Sequence, residues 1–295
     1  MLKLKKRCKG VRKIKKAYVK VRKRLPKALR IFLIVISVFV ALFVFLEAGV
    51  FALHYKKAFK PDYQRADLSS IIYKESFSDS DYALILKQTG LTRAGVDAIV
   101  SENRQSDILK IQSDYFTDYD VKKFQFSPIT CCHELKKPIT TVPLENGDII
   151  ITPTSHFSFF EMGHSALVVD AFEGTVMNAT GYDNISCFES VDVTTNRPIF
   201  MVLRLKADKE TRAKIAKTAK EKLLDLKYSI SIGIIGKKYV ENPMRTNCSH
   251  LVWHAFKTFG YDIDSNGGPI ALPMDFFESN DLEILQVYGF DTDKL

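Results

Sequence analysis

From Ile31 to Leu46 the chain runs 16 residues without a charged side chain, and with Glu47 near the far end the apolar segment continues to Leu53. At 1.5 Å rise per residue these 23 positions make a helix of roughly 34 Å, enough to cross a hydrocarbon core of about 30 Å. A soluble helix buries one apolar stripe, whereas this segment is apolar on every face. Residues 31–53 are therefore expected to be a transmembrane helix. Residues 1–30 carry 15 Lys+Arg and no acid, an excess that places the N-terminus in the cytoplasm and the following 240 residues outside. A cleaved signal peptide also pairs a basic region with an apolar one. Here both are longer than usual for a signal peptide, and Gly49-Val50-Phe51-Ala52 is a poor cleavage site, so a retained anchor is expected.

The formal net charge of +9 is misleading as a whole-chain number. Beyond residue 30 the balance is 28 basic against 34 acidic groups, a mildly acidic body behind a basic tail. Topology and attraction to anionic lipid account for the tail, so membrane lipid is the expected partner and nucleic acid is not. With 46% apolar residues the chain is not disordered as a whole. Five scattered cysteines without a CxxC argue against a disulfide framework or structural zinc. Cys131-Cys132-His133 looks like a fragment of a metal site but has no second ligand cluster.

Residues 54–80 read as a polar stalk and lead-in. Over 81–140 helices are expected at DYALILKQT, capped by Ser80 and ended by Gly90, at RAGVDAIVSE behind Thr92, and at SDILKIQSDYF. The stretch QTGLTRAGVDAIV resembles the turn of a helix-turn-helix reader, but with one Arg and one Asp it reads as an ordinary helical hairpin. From about Thr141 the pattern changes to short strands at GDIIITP, HSALVVD, GTVMNA, SCFESVDV and PIFMVLRLK. An amphipathic helix, DKETRAKIAKTAKEKLLD, follows them. A buried one, NCSHLVWHAFKTFG, comes last. Strands followed by helices predict an α+β fold with a small antiparallel sheet or barrel.

Two residues stand out chemically. Cys248 lies in the first turn of the last helix behind Asn247, where exposed N–H groups favour a thiolate and can hold an oxyanion. A nucleophile there needs a base. His164, after Gly163, opens an apolar strand. Asn178 in the next strand can orient its ring if the two strands pair as a hairpin. His250 and His254 lie on the nucleophile's own helix, neither projecting back to the sulfur, although His250 could line the cleft. Cys187 reads as a core strand residue.

From Asn146 to the C-terminus the sequence resembles permuted papain-like NlpC/P60 hydrolases of the YaeF/YiiX type, distant relatives of cell-wall-associated hydrolases. The matching pieces are Gly147-Asp148-Ile149-Ile150, Gly163-His164-Ser165-Ala166-Leu167-Val168, Val176-Met177-Asn178-Ala179 and Val202-Leu203-Arg204. They continue with Tyr228, Asn247-Cys248-Ser249-His250-Leu251-Val252-Trp253 and Pro273-Met274-Asp275-Phe276. The resemblance implies a permuted papain-like domain over 141–295, with Cys248 as nucleophile and His164 as base, the histidine coming first in the chain. It departs from the family at Asn178, where Glu is expected in many relatives. Tyr228, Asn247 and His250 are carried over as substrate or oxyanion candidates.

The implied activity is that of a membrane-anchored extracytoplasmic cysteine peptidase or amidase, needing no metal or cofactor, with cell-wall peptide as the substrate that location suggests. A thiol-dependent lipid acyl hydrolase or acyltransferase is the alternative, with Ile230 to Ile235 as an acyl-pocket wall or simply core. A binding module with a degraded site is the non-enzymatic alternative, kept open by Asn178.

Overall fold

The computed structural model describes residues 26–118, 121–124, 129–131, 133–157, 160–181 and 184–295. The expected basic tail, apart from its last five residues, and Cys132 of the Cys-Cys-His fragment lie outside the described residues. The chain divides into a unit ending at Val50 and a compact unit, Phe51–Leu295.

The apolar segment forms helix α1, Lys27–Lys57. Its stretch Lys27–Gly49 has mean hydropathy 3.0, is exposed from Lys27 to Leu46, and is long and apolar enough to span a membrane. The Ser37 hydroxyl, a polar group within the run, bonds back to the Leu33 carbonyl and so costs little in an apolar surround.

In the second unit three helices come first: α2 (Asp79–Thr89), α3 (Arg93–Ser101) and α4 (Ser106–Phe116). The cap of α2 is Ser78, two residues before the expected Ser80. Ser78 and Asp81 form a reciprocal capping box, and a box satisfies two backbone donors where a lone serine satisfies one. Thr92 caps α3 as expected. It also bonds the Leu285 carbonyl through its backbone N–H, so the α2–α3 turn docks on a strand edge.

Six strands build one antiparallel sheet: β1 (Ile149–Thr152), β2 (His164–Asp170), β3 (Thr175–Asn178), β4 (Cys187–Ser190), β5 (Phe200–Leu205) and β6 (Leu282–Tyr288), in the order β6-β5-β1-β2-β3-β4. The fold is α+β. Both faces of the sheet are covered. Ile150, Ala166, Val168, Val176, Val202 and Leu285 face α2–α4 in one core. Ile149, Ile151, Leu167, Met177 and Leu203 face a second core with α5 (Lys209–Lys222) and α6 (Cys248–Lys257). Burial on both sides explains why β1 and β5 read as continuous apolar runs rather than alternating ones.

Two findings differ from the sequence reading. A sixth strand follows the last helices, where none was expected. Leu282–Tyr288 has no clean alternation because its last four positions are all buried, including Gln286, whose amide bridges the Val142 N–H and the Thr140 carbonyl. The 54–80 lead-in is also no mere stalk. Leu68 and Ile72 are fully buried in the α2–α4 core, so this segment, the helical region and the sheet share one compact unit.

Candidate active site

The ends of β2 and α6 meet at a cleft of about 470 Å³. Cys248, His164, Tyr228, Asn247 and Ser249 all line it. The chain turns into β2 at Gly163, with φ +67, where a Cβ would sit 3.0 Å from the Thr152 carbonyl oxygen. Only glycine fits that turn without strain, and the turn puts His164 at the mouth of the sheet. α6 starts at Asn247, whose Oδ1 accepts the His250 backbone N–H at 2.8 Å while its Nδ2 donates to the Ser229 carbonyl at 3.2 Å. Asn247 is thus a helix cap and a loop pin, and its amide donor is already engaged. Lys227–Tyr228 pairs in parallel with Arg245–Thr246, which carries Tyr228 in beside the start of α6.

The expected hairpin forms. β2 and β3 pair through Leu167↔Met177 and Val168↔Val176, placing His164 and Asn178 as diagonal neighbours on one face. His164 Nε2 and Asn178 Oδ1 are both buried, and neither has a hydrogen-bond partner. The Asn178 side chain stands within hydrogen-bonding reach of the imidazole and favours its protonated form. Burial dominates, however. It and the nearby Arg197 charge bring His164 down to about 4, so the ring is a neutral base at pH 7.

Cys248 is half-buried. Burial pushes its thiol up, against the backbone N–H groups of Ser165, Ser249 and Cys248 itself and the Ser249 hydroxyl, which pull it down. The helix start therefore does not by itself make a thiolate, as the sequence had suggested. Desolvation outweighs it, and the resting pair is a neutral thiol beside a neutral imidazole. The Ser165 interaction ties the sulfur to the residue next to His164. The Tyr228 hydroxyl is raised by burial and then by the Cys248 charge, so it remains an O–H donor near the sulfur.

The remaining candidates are placed differently. His250 does not line the cleft. Its ring is held by the Thr246 hydroxyl at 3.0 Å and the Lys238 carbonyl at 2.9 Å, and His254 bonds the Val240 carbonyl at 2.7 Å. Cys187, a free and half-buried cysteine, sits opposite Asn178 on β4. Among the described residues no His/Cys/Asp/Glu group could hold a metal ion.

Sequence reasoning missed Arg197, Phe160 and Met162 in the cleft wall and Glu189 behind Asn178. None has a local signature. Glu189 alone was within reach of inference, as a polar residue diagonal to Asn178 once strand register is assumed. Ile230 and Ile234 do line the cleft, and at 49% and 64% exposed they are wall rather than core. Comparison with family models, with curated proteins and with solved structures finds no match to the chain.

Proposed function

We propose that this chain is a membrane-anchored cysteine hydrolase whose unit beyond the anchor has a permuted papain-like arrangement, the histidine strand preceding the cysteine helix. The observation that carries this reading is the convergence of Cys248 and His164, from elements 84 positions apart, on one cleft, with Asn178 diagonal to the histidine on the paired strand. His164 takes the thiol proton through Nδ1 as Cys248 sulfur attacks a substrate carbonyl. The Cys248 backbone N–H, at the first helical position, and the Tyr228 hydroxyl stabilise the tetrahedral oxyanion. Collapse expels the leaving group with the proton from His164, and water then resolves the acyl-enzyme. Asn178 holds the ring but adds no charge to offset the imidazolium, which suits a pair that is neutral at rest. Lys/Arg before the anchor puts this unit on the extracytoplasmic side.

The cleft wall bears on the substrate. Phe160, Met162, Ile230, Ile234, Ile270 and Leu272 line it, with Arg197 as the one formally charged side chain among the described lining residues. Such a wall favours a carbonyl attached to an apolar acyl portion. Cell-wall peptide is the second reading, supported by the extracytoplasmic placement and by Arg197, which suits a peptide carboxylate.

A thiol-directed activity probe applied to full-length wild type, Cys248→Ala and His164→Ala tests the site. Labelling is expected in wild type alone, and equal labelling of the Cys248 variant removes the nucleophile assignment. Parallel digestion of wall peptides and acyl lipids separates the two substrates. A properly folded wild type that labels with no probe and cleaves neither substrate leaves the binding-module reading.

A further inference from the structure

The hydrolase reading leaves Glu189 without a role, yet it makes the shortest hydrogen bond to the site. Asn178 Nδ2 donates to Glu189 Oε2 at 2.5 Å. The bond follows from register, since β3 and β4 pair Val176 with Glu189 and Asn178 with Cys187, leaving Asn178 and Glu189 diagonal on one face.

We infer that Glu189 is a positioning residue that fixes the amide orientation of Asn178 and, through it, the tautomer of His164. This rests on the hydrolase reading for its consequence but not for its geometry. A carboxylate only accepts, so the Asn178 NH₂ must face Glu189 and its carbonyl oxygen must face away. That oxygen and His164 Nε2 are both buried with no hydrogen-bond partner, at diagonal positions of paired strands, so each is the group available to satisfy the other. An acceptor there requires the proton on Nε2, which leaves the Nδ1 lone pair for the thiol proton. With the amide reversed, its NH₂ would face Nε2, the proton would move to Nδ1, and the base would be lost. Asn178 is neutral, and the Arg197 charge acts on the protonation equilibrium of His164 rather than on its tautomer.

The test exchanges donors for acceptors at fixed positions. In full-length protein selectively ¹⁵N-labelled at histidine, the His164 ring nitrogens report the tautomer whether or not the site turns over. Alkylation of Cys248 by iodoacetamide reports the base. Glu189→Lys offers only donors, so it should reverse the amide, shift His164 to the Nδ1–H form and slow alkylation at least tenfold. Adding Asn178→Asp supplies one acceptor oxygen to the introduced ammonium and one to His164. This double variant should restore the Nε2–H form and bring alkylation to within about threefold of wild type. An unchanged tautomer in Glu189→Lys, or a double variant no better than the single one, overturns the inference. If the tautomer responds while Cys248 is equally unreactive in all variants, the positioning stands and the hydrolase reading fails.

Discussion

Helix α6 carries the proposed nucleophile at its start and structure along its side, and a histidine belongs to each place. His164 at the cleft and His250 on the helix side are both brought down to about 4, in each case mainly by burial. They differ in what their rings touch. His250 is bonded at both nitrogens, to Thr246 and the Lys238 carbonyl, and its ring lies tilted against those of Trp253 and His254. His164 has a buried Nε2 with no hydrogen-bond partner, and the residue lines the cleft. Protonation state alone does not separate a base from a brace. An unfilled valence beside a nucleophile does.

The largest effect expected from this contrast is loss of turnover on the cleft side. Cys248→Ala should abolish acyl-enzyme formation, and His164→Ala should slow it by about 10²–10⁴, both with little change in melting temperature. A His164→Ala protein that retains wild-type rate would erase the distinction between the two histidines. On the other side of α6 the expectation reverses. His250→Ala leaves a Lys238 carbonyl and a Thr246 hydroxyl short of a partner and should cost about 2 kcal/mol of stability, while activity per folded molecule stays within a few-fold. Denaturant titration alongside activity measures both, and inactivity without destabilisation would make His250 part of the chemistry.

Acidification acts on both regions together. A histidine whose folded value is about 4 binds its proton in the unfolded chain first, near 6.5. The stability this provides is complete above pH 6.5 and falls away as pH drops towards 4, by up to about 3 kcal/mol for each of the two rings. Activity should hold down to an acid limb near pH 4, provided the protein remains folded. His250→Gln should shrink the stability loss and leave the acid limb in place, and a limb that moved with this substitution would count against His164 as the base. The smallest effect belongs to the cleft wall. Ile234→Asp should raise KM for an apolar acyl substrate about tenfold, equivalent to about 1.4 kcal/mol of lost apolar contact, with kcat little altered. A wall-peptide substrate indifferent to the change would favour the second reading.

Much of the fold was legible because local patterns and tertiary packing agreed. The β2–β3 hairpin, the Thr92 cap, the boundaries of α4 and the start of α6 follow from alternation, capping and stripes, each a few residues long. β6 was not legible, since burial on both faces and an internal Gln286 erase the period that marks a half-exposed strand. Ser78 was passed over for Ser80 because a capping box depends on the partner three residues on. At the site, Cys248, His164 and Asn178 were found from position in their elements. Arg197, Phe160 and Glu189 were not, because their neighbours come from distant parts of the chain.

By itself the sequence determined the apolar helical span over 31–53, the α+β order and the places of Cys248 and His164 at the starts of their elements, all of which depend on spacing of a few residues. Tertiary structure decided the protonation of the site. The thiol and imidazole are set by desolvation, which depends on every element packed around them, and it overrode the helix-terminus field that local reasoning had put first. It also decided the amide orientation of Asn178. An amide is symmetric in shape but not in hydrogen bonding, and only a carboxylate on the next strand distinguishes its two ends.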